Sequence, residues 1–593
     1  MRVFDWLDDR TGYRALTRAA LDQEIQGGAR WAYVFGSGLA VVFLSQLVTG
    51  LMLMVTYTPS VHDAWSSVFY LQHRVTAGWF VRGLHHYGAY AMMLVMGLHM
   101  LQVAVYGAYK RPREVNWWAG LLLLALIVGM GVTGYLLPWD QKGYWATTVA
   151  TNIAGSTPLI GPAIRDLVVG GPEYGQSTLT RMFTLHVGVL PGLVGLVLVG
   201  HVVLFRRHGP TAPAGADLAK KQRYFPAQIG RDLLFAVAVL SVLALFTVQL
   251  GAPLDAPADP AILYPPRPEA YFLWLYELLN LVPGELEMLV TLGLPAIGGG
   301  LLFALPFFDR KPTTRVRDRL LFVTPILLAA VAILALTAVS LRADANDPEY
   351  QAQRHDADLR AARAITLARR GIPPGGPLAM LDDDPLTRGA DLFATKCASC
   401  HVLDGEGERW APEHTGFGSR AWVRALLHDP DDVRFFGLTG IVGMPSQDRL
   451  GDDQVTSVTE YVFSLGHEPQ DPAFDAALAT RGQHVFETKC MNCHGFEGDG
   501  DYLAEGGPDM TGYASRTWIL RQTANPRGHY GDANEMPPYA DELTEHDLHM
   551  LAAYLRLQRF EAPSTGALVP PLNRKQRAAL AEHEAKVRAE EAE

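Results

Sequence analysis

The stretch that decides the fold is RGLHHYGAYAMMLVMGLHM at residues 82–100, an apolar run that carries His85 and His99. A second apolar run, LHVGVLPGLVGLVLVGHVV, carries His186 and His201. The separations of 14 and 15 residues are close to four helical turns, so each pair falls on one helix face, about 21–23 Å apart. Four histidines at two matched depths predict two bis-histidine haems stacked across a membrane, one between His85 and His186, the other between His99 and His201. The competing interpretation is that these are intramembrane histidines bonded to backbone carbonyls.

Seven apolar segments in the first 342 residues are long enough to cross a bilayer, and the rest of the sequence contains none. The chain has 593 residues, too many for one domain, and its formal charge of −11 argues against a nucleic-acid partner. We therefore predict an all-α fold in which a seven-helix membrane bundle precedes a half without spans. The predicted spans are 31–57, 79–109, 117–138, 182–205, 233–251, 288–308 and 320–341.

Lysine and arginine are concentrated at the N-terminus and in alternate loops, those between spans two and three, four and five, and six and seven. Since such residues stay on the cytoplasmic side, the N-terminus is predicted to lie inside and everything after Leu341 outside the cell. The first 30 residues are charged and lack the apolar core of a signal peptide, so we expect the spans themselves to insert the chain. These features predict a multi-pass protein of the bacterial inner membrane.

All four cysteines belong to two C-x-x-C-H motifs. In this motif the two thiols form thioethers to haem, and the adjacent histidine becomes an axial ligand of the iron. A disulfide or a zinc-site remnant is the competing interpretation of one such motif, and the second copy weakens it. The motif residues are Cys397, Cys400 and His401 in the first copy and Cys490, Cys493 and His494 in the second.

A Met-Pro pair follows each motif: Met444 lies 43 residues after His401, and Met536 lies 42 residues after His494. Each pair precedes an amphipathic helix, and the arrangement resembles a tandem of small all-α class I cytochrome c domains. The resemblance implies that Met444 and Met536 are the sixth iron ligands of two covalently bound c haems. Core packing is the alternative for any single methionine, and it is the interpretation we prefer for Met510.

The membrane half resembles cytochrome b of the Rieske/cytochrome b complexes, the quinol:cytochrome c or plastocyanin oxidoreductases. The segment PWDQKGYW, the 15-residue histidine separation and the absence of an eighth span are similar to the chloroplast-type branch, which usually divides this region between two polypeptides. The resemblance implies a proton-motive Q-cycle, in which quinol is oxidised at an outer site and electrons cross the membrane through two b haems to an inner quinone site. The matching segments are FGSGLAVVFLSQLVTG at 35–50, GWFVRGLHHYGAY at 78–90, GYLLPWDQKGYWATTVATNI at 134–153, QSTLTRMFTLH at 176–186 and PEAYFLWLYELLNLVPGEL at 268–286.

One carboxylate, Glu269, precedes the sixth span within Pro-Glu-Ala-Tyr. An acid so close to hydrocarbon is costly unless it is paired, neutralised or used in chemistry. The segment is similar to the family's quinol-oxidation motif, which implies that Glu269 accepts a proton from quinol and that Tyr271 belongs to the same catalytic site. The alternative is a loop acid paired with Arg267. Ala270 stands where the family has an aromatic residue, and the type of quinone stays open.

Other residues of the spans have expected roles toward the b haems. Arg82, three residues before His85, is predicted to pair with a haem propionate, and a solvated charge at the membrane rim is the alternative. Glycines allow a porphyrin to approach the backbone, although they are also common where spans pack closely. The candidate glycines are Gly36, Gly50, Gly88 and Gly134.

The sequence divides into six predicted parts. The charged and Pro/Gly-rich stretch after the last span is typical of a helix followed by a connector, and the C-terminal tail is typical of an exposed helix. The parts are an amphipathic helix on the cytoplasmic side (1–30), the membrane domain (31–342), a linker (343–385), two cytochrome c domains (386–467 and 475–560) and a charged helical tail (561–593).

The expected partners follow from the resemblance and from the cysteines. A Rieske cluster needs two cysteines and two histidines. Because every cysteine here belongs to a C-x-x-C-H motif, the Rieske iron–sulfur protein must be a separate chain. We further expect membrane lipids and quinone, a soluble cytochrome c or an oxidase as acceptor, and a homodimeric complex. Two alternatives stay open: a passive dihaem membrane anchor for a dehydrogenase, and an oxidase subunit.

Overall fold

The computed structural model describes residues 3–262, 264–439, 441, 443–497, 507–530 and 534–560. Within these ranges the regular structure is helical except for one antiparallel pair of short strands, Glu24–Gln26 with Lys221–Arg223, so the all-α class is confirmed. The chain forms two compact units, Met1–Leu378 and Ala379–Glu593, which we call the membrane unit and the c unit. The predicted helical tail, 561–593, lies outside the described residues.

All seven predicted spans are present as long apolar helices. Spans one to five pack around a core that includes Val42, Met96, Ile127, Val194 and Leu243, one from each helix. The spans are Trp31–Met54, Gly78–Tyr106, Glu114–Tyr135, Gln176–His208, Tyr224–Leu250, Gly284–Phe308 and Leu320–Asn346.

The N-terminal segment differs from the single helix predicted over residues 1–30. Two helices, Val3–Thr11 and Tyr13–Leu21, are separated by Gly12, whose φ of 60° is in the left-handed region. Glycine adopts this conformation without a steric penalty and ends the first helix there. The strand Glu24–Gln26 then joins this segment to the loop after span four.

Further helices of different lengths lie between and after the spans of the membrane unit. The last long one, Pro348–Arg370, is called the connector helix here; Asp347 caps it by accepting hydrogen bonds from the next two free backbone N–H groups. Most of the predicted linker, 343–385, is therefore ordered helix within the membrane unit. The other helices are Ala64–His73, Gln141–Gly155, Gly161–Val169, Leu273–Asn280 and Gly376–Asp382, the last of which runs across the boundary into the c unit.

The c unit contains two sequence repeats with the same order of helices. In each repeat a helix leads into the C-x-x-C-H motif, and we call it the N-helix; the last long helix of each repeat is the C-helix. The first repeat has the first N-helix (385–397, made of Pro385–Gly389, Ala390–Leu392 and Phe393–Cys397), Arg420–His428, and the first C-helix (Asp452–Leu465). The second repeat has the second N-helix (Ala476–Lys489), Arg516–Ala524, Arg527–Tyr530, and the second C-helix (Glu545–Leu557).

The two repeats exchange their N-helices. The first N-helix packs on the second C-helix, and the second N-helix packs on the first C-helix. A Cβ on Gly389 would collide with the Cβ of Tyr554, and one on Gly482 would lie 2.9 Å from the Cβ of Tyr461, so both crossings depend on glycine. The repeats share one hydrophobic core. The predicted boundaries 386–467 and 475–560 thus delimit sequence repeats and not separately packed domains.

Candidate functional sites

The four membrane histidines form two opposed pairs. The ring centroids of His85 and His186, the His85 pair, are 6.2 Å apart with an interplanar angle of 76°. Those of His99 and His201, the His99 pair, are 6.5 Å apart at 82°. A metal ion held by two imidazoles at about 2.0–2.1 Å each sets the ring centroids about 6.4 Å apart. Both pairs therefore have the spacing that one iron requires.

Span four is irregular at His186. Residues Leu185–Val189 form a π-helical segment, and Pro191, which has no N–H to donate, follows in the next turn. A π segment adds a residue to the helix with little additional rise along its axis. The 15-residue separation in span four therefore matches the 14-residue separation in span two, and both pairs are in register.

Hydrogen bonds at Nδ1 orient three of the four rings. A backbone carbonyl accepts only from a protonated Nδ1, which leaves Nε2 with a free lone pair for a metal. The fourth ring, His99, has a buried Nδ1 without a partner in the described part of the chain. The contacts are His85 Nδ1 with Thr49 Oγ1 at 2.9 Å, His186 Nδ1 with the Met130 carbonyl at 3.1 Å, and His201 Nδ1 with the Asn116 carbonyl at 3.1 Å.

A glycine lies against each of the four rings. A side chain at these positions would occupy the space beside the imidazole that a porphyrin needs. Three of the four, Gly36, Gly50 and Gly134, are predicted from the sequence. An added Cβ would lie 3.3 Å from His99 Cε1 at Gly36, 3.3 Å from His85 Cε1 at Gly50, 3.4 Å from His201 Cε1 at Gly120, and in collision with His186 at Gly134.

The structure differs from the predicted glycine set at two positions. Gly120 completes the set, and the sequence holds a signal for it that the prediction missed: Gly120 lies 14 residues before Gly134, the same separation as between Gly36 and Gly50. Gly88 lies against the Gln46 amide and not against a ring. Its role is to admit Gln46, whose Nε2 donates to the His85 carbonyl at 2.9 Å.

One continuous cavity of about 360 Å³ reaches from the His85 pair to Glu269 and Tyr271. Tyr271 packs edge-on against Tyr90, with ring centroids 5.2 Å apart. Burial, and to a lesser degree the charge of Glu269, raises the pKa of the Tyr271 hydroxyl, so this group stays protonated. The residues of the predicted quinol motif and one of the two predicted pairs of b-haem ligands thus line the same space.

Glu269 is 6% exposed. The Tyr90 hydroxyl donates to its Oε2, and the Lys142 ammonium lies 3.1 Å from its Oε1. Burial raises the pKa of Glu269 to about 7, and the positive charge of Arg354 opposes this shift. The pairing with Arg267 that we considered from the sequence does not occur, because Arg267 pairs with Asp344 at 3.0 Å.

The connector helix supplies residues to this cavity that sequence reasoning missed. Arg354 and Asp358, which pair at 3.1 Å, both line it. The helix is held in place near the Glu269 loop because Arg267 lies between the rings of Tyr276 and Tyr350, 4.5 and 4.3 Å from their centroids. The sequence signal was one arginine within a run of charges, which does not distinguish a cavity residue from a solvated one.

Two further carboxyl groups line the cavity, those of Asp140 and Asp255. Burial raises the pKa of Asp140, and burial followed by the charge of Asp140 raises the pKa of Asp255 to about 6. The Tyr264 hydroxyl donates to Asp255 at 2.6 Å. The cavity therefore contains a series of acids that titrate nearer to neutral pH than an exposed aspartate does.

Arg82 also lines the cavity. Its guanidinium donates to the Ala252 carbonyl at 2.8 Å and to the Pro253 carbonyl at 2.5 Å, and it also bonds to Gln72. These bonds fix the side chain beside the His85 pair, which does not fit a freely solvated rim charge. Pairing with a propionate stays a prediction.

In the c unit, the two motif histidines are held alike. His401 Nδ1 lies 2.7 Å from the Pro412 carbonyl, and His494 Nδ1 lies 3.1 Å from the Pro508 carbonyl. Burial lowers the pKa of both rings, so each is a neutral imidazole with Nε2 free to bind a metal.

The other candidate groups of the c unit lie around the shared core. Met444 and Met536 pack against it while remaining partly accessible, whereas Met510 is buried in it, as predicted. All four cysteines lie within the described residues and are free there.

Comparisons with known proteins divide the chain in the same way. The family described as Cytochrome b(N-terminal)/b6/petB matches residues 90–257, and the one described as Cytochrome b(C-terminal)/b6/petD matches residues 257–352. In the c unit, the family described as Cytochrome c matches residues 386–466. The family described as cbb3-type cytochrome c oxidase subunit III matches residues 477–555.

Individual relatives cover the membrane half. The chain is 41% identical to the menaquinol:cytochrome c reductase cytochrome b subunit of Geobacillus thermodenitrificans over 36% of this chain and 98% of that protein. It is 36% identical to the cytochrome bc complex cytochrome b subunit of Chlorobaculum thiosulfatiphilum over 51% of this chain and 72% of that one. A solved structure titled "Hyperthermophilic respiratory Complex III" matches with a TM-score of 0.52 and 28% identity, over 62% of this chain and 97% of that chain.

A seven-span bundle with these matches, followed by two cytochrome c repeats, defines a membrane-bound redox protein that carries haem of the b and c types. The chain belongs to the cytochrome b family of cytochrome bc and b6 complexes, here fused to cytochrome c sequence.

Proposed function

We propose that this chain is the cytochrome b and c subunit of a quinol:cytochrome c oxidoreductase that works by a Q-cycle. The observation that carries the proposal is the cavity that connects Glu269 to the His85 pair. It brings a group able to accept a proton next to a pair of imidazoles spaced to hold one iron. Quinol oxidation requires both functions at one place, since each quinol releases protons and electrons together.

The residues fit four haems. The His85 pair and the His99 pair would each hold one non-covalent b haem, and their ring spacing supports this assignment. Cys397 with Cys400, and Cys490 with Cys493, would hold two c haems through thioethers. Bound haem supplies one-electron redox chemistry, for transfer across the membrane and outward to an acceptor. The side chains that would bind the iron of these haems are His401, His494, Met444 and Met536.

Glu269 acts as the proton acceptor at the quinol site. A pKa of about 7 makes it partly ionised at neutral pH, which suits a group that takes up a proton and then releases it. Lys142, 3.1 Å away, steadies the carboxylate before the proton arrives. Asp140 and Asp255 offer the next carboxyl groups along the cavity wall.

The proposal also includes the location, the orientation and the partners of the protein. The positive loops support a cytoplasmic N-terminus in the bacterial inner membrane, with the Glu269 loop and the c unit on the outer side. A separate Rieske protein accepts one electron of each quinol, the c unit replaces a separate c-type subunit, and a soluble cytochrome or an oxidase is the acceptor. The complex is expected to be homodimeric. Because one relative is named for menaquinol, menaquinol is the first substrate to assay.

The test is quinol-dependent cytochrome c reduction by the purified complex and by its Glu269→Gln variant. Gln keeps the size of the side chain but cannot accept the proton, so turnover should fall about 100-fold while both b haems stay bound. Glu285→Gln is the matched control, because Glu285 is an exposed acid that follows the same loop. A passive anchor would show no such reductase activity, and unchanged turnover in Glu269→Gln across the pH range would make Glu269 a structural acid.

A further inference from the structure

The exchange of N-helices determines where each haem-attachment motif lies. The first N-helix ends at Cys397, the first cysteine of its motif, and the second N-helix ends at Lys489, immediately before Cys490. Because the motif continues directly from the helix, a helix that packs in the body of the other repeat brings its motif there too.

Contacts along the first N-helix place it on the second repeat. Arg388 pairs with Asp547 at 2.6 Å, and Lys396 pairs with Glu542 at 3.1 Å. Both acids lie at or just before the start of the second C-helix. The two ion pairs lie near opposite ends of the first N-helix and therefore fix its register on its partner.

The loop that contains Met536 lies beside the first motif. The Tyr539 hydroxyl donates to the Lys396 carbonyl at 2.9 Å, one residue before Cys397. Burial raises the pKa of that hydroxyl, and Cys397 and Cys400 are close enough to add to the shift. Met536 is three residues before Tyr539, a separation that spans at most about 10 Å.

The reciprocal contacts place the second motif beside the first C-helix. Tyr461 on this helix packs against Phe486 of the second N-helix, with ring centroids 5.3 Å apart. It also packs against Phe496, two residues after His494, at 6.3 Å. The loop that contains Met444 leads directly into the same helix.

The chain changes from one body to the other at two equivalent turns. Gly418 and Ala514, at matching positions of the repeats, have φ of 70° and 59°. A Cβ on Gly418 would lie 2.7 Å from that of Ala514, and the rings of Phe417 and Tyr513 are 5.9 Å apart. The two segments therefore lie against each other where an exchange requires them to cross.

We propose that each c-haem centre takes its two axial ligands from different repeats: Met536 is the sixth ligand opposite His401, and Met444 is the sixth ligand opposite His494. This replaces the pairing within each repeat that the sequence resemblance implies. The inference rests on the proposed histidine–methionine ligation of two c haems and adds which methionine belongs to which centre.

The test uses full-length chains that carry one c haem each. In the Cys397→Ala, Cys400→Ala background, only the haem on Cys490 and Cys493 remains. There Met444→Ala should abolish the methionine–iron absorption band, and Met536→Ala should leave it. The reciprocal background, Cys490→Ala with Cys493→Ala, should give the reverse. Each methionine variant is the control for the other, and loss of the band with the methionine of the same repeat overturns the crossed pairing.

A second measurement does not depend on the folding of variants. A zero-length carbodiimide cross-linker applied to the unmodified holoprotein should join Lys396 to Glu542 within one chain, as read by peptide mass spectrometry. Cross-links from Lys396 to Asp452 or Asp453 of its own repeat, in place of Glu542, contradict the exchange. If no methionine–iron band exists before any substitution, the proposed ligation itself fails, which is distinguishable from a band that follows the local methionine.

Discussion

The membrane unit and the c unit both bring candidate iron ligands together in pairs, but they do so differently. In the membrane unit, His85 and His99 face His186 and His201 because two spans of one bundle present matching faces, and the number of residues along each span sets the depth. In the c unit, the helix that leads to each motif packs on the C-helix of the other repeat. Spacing along the sequence thus fixes where a ligand lies on its helix, but not which of two similar helices it faces.

The strongest test of the membrane side of this comparison is His85→Ala. If each histidine binds haem together with the histidine at the same depth on the opposite span, the variant should lose the haem of the His85 pair. It should keep the haem of the His99 pair. The non-covalent haem content should halve relative to covalent haem, and quinol oxidation should fall to background. Haem extraction with acid acetone, followed by spectra of both fractions, measures this.

His86→Ala is the matched control for that variant. His86 is adjacent in sequence but about 100° away around the helix, so this variant should retain both b haems. Equal haem loss in the two variants would contradict pairing by helix face.

A smaller effect is expected at Gly120, the glycine that the sequence analysis missed. Valine there would crowd His201, since the Cβ alone would lie 3.4 Å from Cε1. Overpacking of this kind costs about 1–3 kcal/mol, which lowers haem affinity in the His99 pair about 5- to 150-fold. Titration of haem into the haem-depleted protein measures the change.

Gly97→Val gives the comparison for Gly120→Val, because a Cβ at Gly97 meets nothing within 4 Å. Its haem affinity should equal that of the unmodified chain. Equal affinities for all three proteins would show that Gly120 is only a packing residue.

The smallest expected effect concerns Arg354 on the connector helix. Its positive charge lowers the pKa of Glu269 against the effect of burial, so Arg354→Gln should raise that pKa. Glu269 accepts a proton only when it is ionised, which requires a pH above its pKa. The pH at which quinol oxidation reaches half of its maximum should therefore be higher in the variant, by less than about one pH unit. Initial rates of quinol oxidation measure the shift. They are recorded across about pH 5–9, roughly the range in which a buried carboxyl group with a raised pKa titrates.

Arg370→Gln is the control on the same helix, because Arg370 is exposed at its end. An equal shift in both variants would indicate a general charge effect. A shift toward lower pH in Arg354→Gln would contradict the assignment of Glu269 as the titrating group.

The sequence predicts those features that depend on one helix at a time. The seven spans and the two histidine depths follow from apolar length and helical period, and Glu269 follows from the resemblance of its motif. Gly88 was misplaced because its neighbour is Gln46 of another span, which no periodicity reveals. Arg354 was missed because its role depends on how the connector helix docks near the Glu269 loop.

The exchange in the c unit lies beyond sequence reasoning for a different reason. Both N-helices contain Thr-Arg-Gly, at Gly389 and Gly482, and both C-helices carry a tyrosine that meets this glycine, Tyr554 and Tyr461. The glycine–tyrosine contact therefore does not distinguish one C-helix from the other. The choice depends on the two turns at Gly418 and Ala514 and on ion pairs such as Arg388 with Asp547.

The exchanged helices also impose an order on biogenesis. The first N-helix leaves the ribosome before the rest of the c unit, whereas its partner, the second C-helix, is the last described helix to be made. Contacts between such distant segments form late and leave apolar surface exposed until they do. The first attachment motif thus stays open until the second C-helix has been made, whereas the second N-helix follows its own partner, the first C-helix, directly in the chain. A chain that stops short of the second C-helix leaves the first N-helix without its partner.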